Sequence, residues 1–280
     1  MSELFNRDIK VTAGPLTIEA RTSTGVSQPL LKMKFSVEKS RASEPNKAEL
    51  SIWNLTEDNR AKLQESGLEV TIEAGYVGGV SQIFKGDLEN AVNTREVADW
   101  ITTLELGDGT KKLSSSRINL SFRGGQSAGQ MLKKVAQATG LDLGNLNEKV
   151  SSDGARSVLK EFINNVVLSG KTSDVLDEVT SALGLGYSVQ DKKFQFAAPN
   201  EASTDPAVIL NSGTGLIGVP QIGEKGTVTA NSLLNGTMFP GRLVQLSSAV
   251  VSGTFLIEKL QHTGDTWGNE WNTKLELVQA

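Results

Sequence analysis

Period-two alternation is the feature that most restricts what this chain can become. Leu31-Lys32-Met33-Lys34-Phe35-Ser36-Val37 alternates apolar and polar side chains, and Ala48-Glu49-Leu50-Ser51-Ile52 does the same before Trp53 and Leu55 break onto the other face. Leu68-Glu69-Val70-Thr71-Ile72-Glu73-Ala74 is a third run, and Trp100-Ile101-Thr102-Thr103-Leu104-Glu105-Leu106 a fourth, closed by Gly107-Asp108-Gly109. Successive side chains of a strand point to opposite faces, so each run puts one face on a core and the other in water or against a partner. Gly, Asp and Asn clusters between the runs supply turns. One short helix interrupts them: Thr56 caps Glu57-Asp58-Asn59, Leu63 faces inward and Gly67 ends the segment. A small sheet with one short helix predicts a partly closed β-barrel. Trp53 and Trp100 are expected in its core.

The pattern changes near Ser114. Ser127 or a neighbour opens a helix over 129–139, with Met131, Leu132, Val135 and Ala136 at helical spacing and Gly140 at its end. Thr172 opens a second over 173–183, with Val175, Leu176, Val179 and Leu183 so spaced and Gly184 at its end. The two superpose at an offset of 44, Leu132 on Leu176, Val135 on Val179, Gly140 on Gly184 and Leu141 on Leu185. This reads as two small α/β units, or as chance similarity between two capped amphipathic helices. A further helix is expected over 158–167. Tyr187 to Phe196 reads as a hairpin turning at Asp191-Lys192. Residues 197–206, polar and with two prolines, read as a linker. Strands then return at 208–210, 227–233, 243–246, 255–260 and 272–278. The expected fold class is therefore mainly β with an α+β insertion, in three segments: 1–113, 114–200 and 201–280.

Composition narrows the function classes. Of 280 residues, 28 are Gly but only 9 Phe, 4 Trp and 2 Tyr, which suits many turns between short strands. The formal charge is −4 with both signs dispersed, so sequence-specific nucleic-acid binding is not expected. Absence of cysteine excludes disulfides, thiolate metal sites and cysteine nucleophiles. Neither a signal-like apolar stretch at the N-terminus nor a run of ~20 apolar residues is visible, so no membrane insertion and a cytosol-like site of synthesis are expected.

Catalytic, cofactor and metal residues are all expected to be absent. His262 is the single histidine, and His262-Thr263-Gly264-Asp265 could be half of a Ser-His-Asp set, but no G-x-S-x-G accompanies it. A hairpin shoulder with Asp265 bonding its own loop backbone is the reading taken. Gly75-Tyr76-Val77-Gly78-Gly79 lies between β runs and reads as a hairpin loop, not a phosphate cradle. Gly213-Thr214-Gly215-Leu216-Ile217-Gly218 leads to Val219-Pro220 and no amphipathic helix, so it is not a dinucleotide fingerprint. Paired acids of a glycosidase need only spatial proximity, so Glu44, Glu57 and Asp58 are candidates only as any acid is; capping a helix and coating a surface is the reading taken. Trp267, in the polar turn 263–270, either packs back beside Trp271 or forms an interface with Gly264 and Asp265.

The order of these elements resembles the late-control-protein type of hub at the tip of bacteriophage tails. The resemblance runs through Phe35-Ser36-Val37-Glu38-Lys39, Pro45 to Leu55, Val70 to Tyr76, Ile83 to Leu88 and Trp100 to Gly109. It resumes at Leu233-Leu234-Asn235, Pro240-Gly241, Leu243–Leu246, Phe255–His262 and Trp271 to Leu277. It implies two tail-tube-like β-barrels flanking small α/β units, in a homotrimer that joins a six-fold tail tube above to a three-fold spike protein below and lines the channel. It implies other baseplate proteins as further partners, and a virion protein assembled in the host cytoplasm; whether the tail is contractile or non-contractile, and whether the chain belongs to a bacterial contractile secretion tip instead, stay open. The chain is short for such a hub, so a spike or cell-wall hydrolase is expected on a separate chain. A tail-tip peptidoglycan hydrolase, a carbohydrate- or receptor-binding module, and a tail tube or distal tail protein are the alternatives.

Overall fold

A computed structural model describes residues 6–21, 31–65, 67–151, 157–223 and 226–280. Two compact units emerge, one from Met1–Ser40, Asn46–Gly107 and Ala202–Ala280, the other from Arg41–Pro45 and Asp108–Glu201.

The first unit begins with β1 (Arg7–Ala13), β2 (Leu16–Arg21), β3 (Met33–Ser40), β4 (Lys47–Trp53), helix α1 (Glu57–Lys62), β5 (Glu69–Tyr76), β6 (Gly79–Glu96) and β7 (Asp99–Gly107). The strands pair antiparallel in the order β3-β4-β7-β6-β5-β1-β2. All four alternating runs form strands, and their apolar residues, among them Phe35, Leu50, Ile72 and Leu104, are buried together. The Thr56 hydroxyl accepts the Asn59 amide and starts α1, while Leu63 is fully buried beyond its end.

The long strand β6 serves two neighbours. Its first half pairs with β5 and its second with β7, with a register shift in each ladder. Such bulges bend a strand and steepen its twist. At Gly86 a Cβ would stand 2.5 Å from the Gly107 carbonyl oxygen and 2.7 Å from the Phe84 ring, so only glycine permits the crossing. Gly75 to Gly79 is a hairpin, with Gly78 at φ 89°.

Trp53 and Trp100 are not in the core as expected. Both are half-buried on the outer surface, each beneath a cation: Lys32 lies 4.1 Å from the Trp53 ring, and Arg60 and Arg95 lie 4.6 and 5.8 Å from Trp100. Cation–π contact lets a large ring stay at the surface of a strand.

The second unit holds α2 (Thr110–Ser115), β8 (Arg117–Phe122), α3 (Ala128–Gln137), α4 (Leu146–Ser151), α5 (Ser157–Lys160), β9 (Val166–Lys171), α6 (Thr172–Ala182), β10 (Gly186–Gln190) and β11 (Lys193–Ala197). Ser127 and Gln130 form a reciprocal capping box on α3. The look-alike segments are α3 and α6 with the Gly-Leu that follows each, Gly140 at φ 70° and Gly184 at φ 62°. They do not form separate units: Leu132, Val135, Leu176 and Val179 share one core with Tyr187, Phe194 and Phe196. Asp191 and Lys192 turn the β10–β11 hairpin at φ 53° and 68°, as a two-residue type I′ turn demands.

Two expectations fail here. Thr172 is the first residue of α6, not its cap, and its hydroxyl is buried with no hydrogen-bond partner among the described residues. Residues 158–167 contain only the end of α5 and then enter β9. Ile163, Val166 and Val167 are β-branched, and such side chains favour a pleated surface over a helix. The 197–206 segment is pinned at its start: Arg41 donates to the carbonyls of Ala198, Pro199 and Glu201, and the Glu201 carboxylate binds Lys149 and the Ala198 amide.

The first unit resumes with β12 (Val208–Leu210), β13 (Leu216–Ile222), β14 (Val228–Leu233), β15 (Leu243–Ser247), β16 (Ser252–Asp265) and β17 (Trp271–Gln279). Leu210, Val228, Leu246, Ile257, Leu275 and Leu277 belong to a second core. Along one edge, the start of β16 pairs with β15 and its end, Lys259–Asp265, pairs with β3. Its other edge pairs with β17, which also pairs with β14. The unit is thus one 13-stranded sheet with two cores, and neither half is a closed barrel among the described residues. The edge of β3 that could have helped close the first half is taken by β16.

Candidate interface at the 266–270 turn

The chain between β16 and β17 is held tightly. Asp265 Oδ1 accepts the amides of Trp267 at 2.8 Å and Gly268 at 2.9 Å, and the Asp265 amide donates to the Glu270 carbonyl at 2.8 Å. This is the expected side-chain-to-loop bond, although Thr263, Gly264 and Asp265 themselves continue the strand. The Thr266 hydroxyl accepts the Met33 amide and donates to the Leu31 carbonyl, both at 2.9 Å. Arg7 Nη1 donates to the carbonyls of Asp265 at 2.6 Å and Gly268 at 2.5 Å, and Nη2 reaches Asn269 at 3.3 Å.

Beneath the turn lies Trp271. Its ring meets Phe35 edge-on at 5.3 Å, the Arg7 guanidinium stands 5.4 Å from its centroid, and its Nε1–H donates to the Gly75 carbonyl at 3.2 Å. Gly264 is buried, and a Cβ there would sit 2.4 Å from Phe35 and 2.7 Å from Trp271. Gly264 and Asp265 therefore shape the turn, whereas Trp267 is presented by it, with 62% of its surface exposed. Trp267 does not fold back into the core beside Trp271.

His262 is a core residue inside β16, not a hairpin shoulder. It is buried, and Nδ1 shares a 2.8 Å hydrogen bond with the Thr273 hydroxyl, which also accepts the Asn235 amide at 3.2 Å. Its ring bond is to a hydroxyl and not to a carboxylate, so the Ser-His-Asp arrangement is not assembled here. Burial, with a smaller contribution from Lys39, pushes its pKa down to about 3, and the imidazole is neutral at ordinary pH.

The second unit has a shallow hollow lined by residues including Arg41, Ser43, Asp177, Thr180 and Tyr187. The Tyr187 phenol bonds Ser43 and Asp177; burial first and Asp177 second raise its pKa well above that of a free tyrosine. It is not poised as an acid or base near neutrality. Among the described residues no group of three or more His, Asp or Glu is placed to hold a metal, and no helix is long and apolar enough to cross a membrane.

No family model matches this sequence, and no curated protein matches it. Solved structures do. The 43 kDa tail protein of prophage MuSo2 from Shewanella oneidensis aligns at TM-score 0.68 and 11% identity, over 98% of this chain and 97% of that one. A tail protein from Neisseria meningitidis aligns at TM-score 0.63 and 11% identity, over 97% and 96%. A component of the E. coli type VI secretion system, described as structurally similar to the T4 bacteriophage tail proteins gp27 and gp5, aligns at TM-score 0.60 and 10% identity, over 97% and 77%. At such identities the likeness concerns the fold. This chain has, nearly end to end, the mainly β fold found in phage tail proteins.

Proposed function

We propose that the chain is a structural protein of a phage tail or a related secretion device, and that it serves as a baseplate hub. In this reading its two β halves, open in the single chain, correspond to two tube-type barrel domains, within 1–113 and 201–280, and 114–200 is an insertion. Three copies present six such halves to a six-fold tail tube above and keep three-fold symmetry for a spike below. Its place is the baseplate of the virion after assembly in the host cytoplasm.

The observation that carries the proposal is the pairing of two β halves, each with its own core, within one sheet. The end-to-end likeness to tail proteins supports it. The native mass of the purified chain, alone and with its candidate spike protein, tests it. A trimer in either condition, near three times 29.9 kDa for the chain itself, is expected. A monomer in both overturns the hub reading.

Trp267 is the side chain we assign to contact with a neighbouring subunit or baseplate protein, with Gly264 and Asp265 fixing its position. Aromatic anchors on rigid supports often dominate interfaces, at about 2 kcal/mol or more each. Trp267→Ala is expected to leave the unfolding midpoint of the isolated chain in place and to weaken assembly at least about tenfold. Unchanged assembly by sedimentation would remove Trp267 from the interface.

A further inference from the structure

The ribbon formed by β8 and β9 has an outer face whose cations form no ion pair among the described residues. Ile118, Phe122 and Leu168 point into the helical core. Arg117, Asn119, Ser121, Val167, Ser169 and Lys171 point outward and are exposed. The register sets Arg117 directly opposite Lys171. Like charges facing across a ladder repel. Neither forms an ion pair among the described residues.

The surrounding sequence deepens this bias. From Gly109 to Leu141 there are six cations (Lys111, Lys112, Arg117, Arg123, Lys133 and Lys134) and no acid. Lys112 caps the Gly140 carbonyl, and Lys134 bonds Gln126 over the Phe122 ring. Arg117 and Lys171 have no such task. At the other end of the ribbon two apolar side chains face solvent, Val167 at 68% exposure and Phe162 at 77%. Each strand pairs only with the other, so each keeps an outer edge with no further strand among the described residues.

We propose that this ribbon binds an extended acidic–apolar segment of a partner protein. The segment adds as a strand to an open edge, sets a carboxylate beside Arg117 and Lys171, and lays an apolar side chain against Val167 and Phe162. An unpaired strand edge, period-two pockets and a charge anchor are what strand addition uses. A phosphate backbone would engage the cations but neither the apolar end nor the edge, so a polypeptide is favoured over nucleic acid. The proposal stands apart from the hub reading, since it concerns one face of the second unit and needs no trimer.

The test uses the full chain with fluorescent peptides read by anisotropy. The probes are Asp-Thr-Asp-Thr-Val-Thr-Val-Thr, its reversed sequence, a version with Lys for Asp, and a labelled single-stranded oligonucleotide. One of the two acidic peptides is expected to bind, and the Lys version is not. The double variant Arg117→Glu/Lys171→Glu should lose the acidic peptide at least about tenfold and gain the Lys peptide. Lys171→Glu alone should raise the thermal midpoint of the free chain, by relieving repulsion with Arg117, while weakening the acidic peptide. A purely structural role for Lys171 would not separate those readouts. Failure of both acidic peptides up to about 1 mM, binding unchanged in the double variant, or binding of the oligonucleotide alone would overturn the proposal.

Discussion

Acidification from pH 6.5 towards pH 3 is expected to remove about 4 kcal/mol of folding stability through one side chain, His262. Burial holds its folded-state pKa down to about 3, whereas an unfolded histidine titrates near 6.5. Above pH 6.5 the ring is neutral in both states and contributes no pH dependence. Below it, the unfolded chain takes up a proton that the folded chain refuses, so stability falls until the folded ring also protonates near 3. The chain has no other histidine, so between about pH 6 and pH 5, before most carboxylates titrate, this group dominates the slope. That slope should approach about 1.4 kcal/mol per pH unit in urea unfolding. His262→Leu should flatten it. A wild-type slope near zero between pH 6 and 5 would show that the imidazole is not held neutral.

Trp271→Ala should cost about 3–5 kcal/mol, the range for deleting a buried aromatic ring. The ring is 3% exposed and fills space between Phe35 and the Gly264 backbone, which has no side chain of its own to close the gap. Its loss also removes one donor from the Gly75 carbonyl, whose strand pairs with β1 as well, and takes away the surface on which Arg7 rests. Trp271→Phe keeps much of the volume but not the N–H, and should cost about 0.5–1.5 kcal/mol for the lost hydrogen bond. Denaturant midpoints of both variants separate packing from hydrogen bonding. A loss under about 1 kcal/mol in the alanine variant would mean that the two halves of the sheet hold together without this ring.

Strands whose outer face meets water were legible, because burial then writes itself into alternation. That is why β3, β4, β5, β7 and all the C-terminal strands except β13 could be anticipated. The strand β6 hides because its bulge sets Ile83 and Phe84 both inward, breaking the period. The strand β9 hides because Val166-Val167-Leu168 is a continuous apolar run, and periodicity alone cannot assign such a run. His262 could not be recognised as a core residue, since its partner Thr273 comes from another strand. Trp53 and Trp100 misled for a related reason: the cations that shield them arrive from outside their own runs. At the candidate interface, the Asp265 turn was legible because its bonds are local. The Arg7 clamp was not, being more than 250 positions away in the chain.

The pairing of β3 with β16 carries a consequence for synthesis on the ribosome. More than two hundred positions separate Ser40 from its ladder partner Lys259. At about 5–20 residues per second, roughly 10–40 s pass between their emergence. Throughout that interval β3 offers a bare edge to any other nascent chain, and Arg7 has no turn to grip. Lys34, Glu38 and Lys39 along that strand act as gatekeepers, discouraging another strand from docking there. The insertion can complete its own core during the wait, because all its strands and helices precede Ala202. Order of emergence thus makes β16 and β17 the step that closes the seam with β3, and a chain interrupted before them has that seam open.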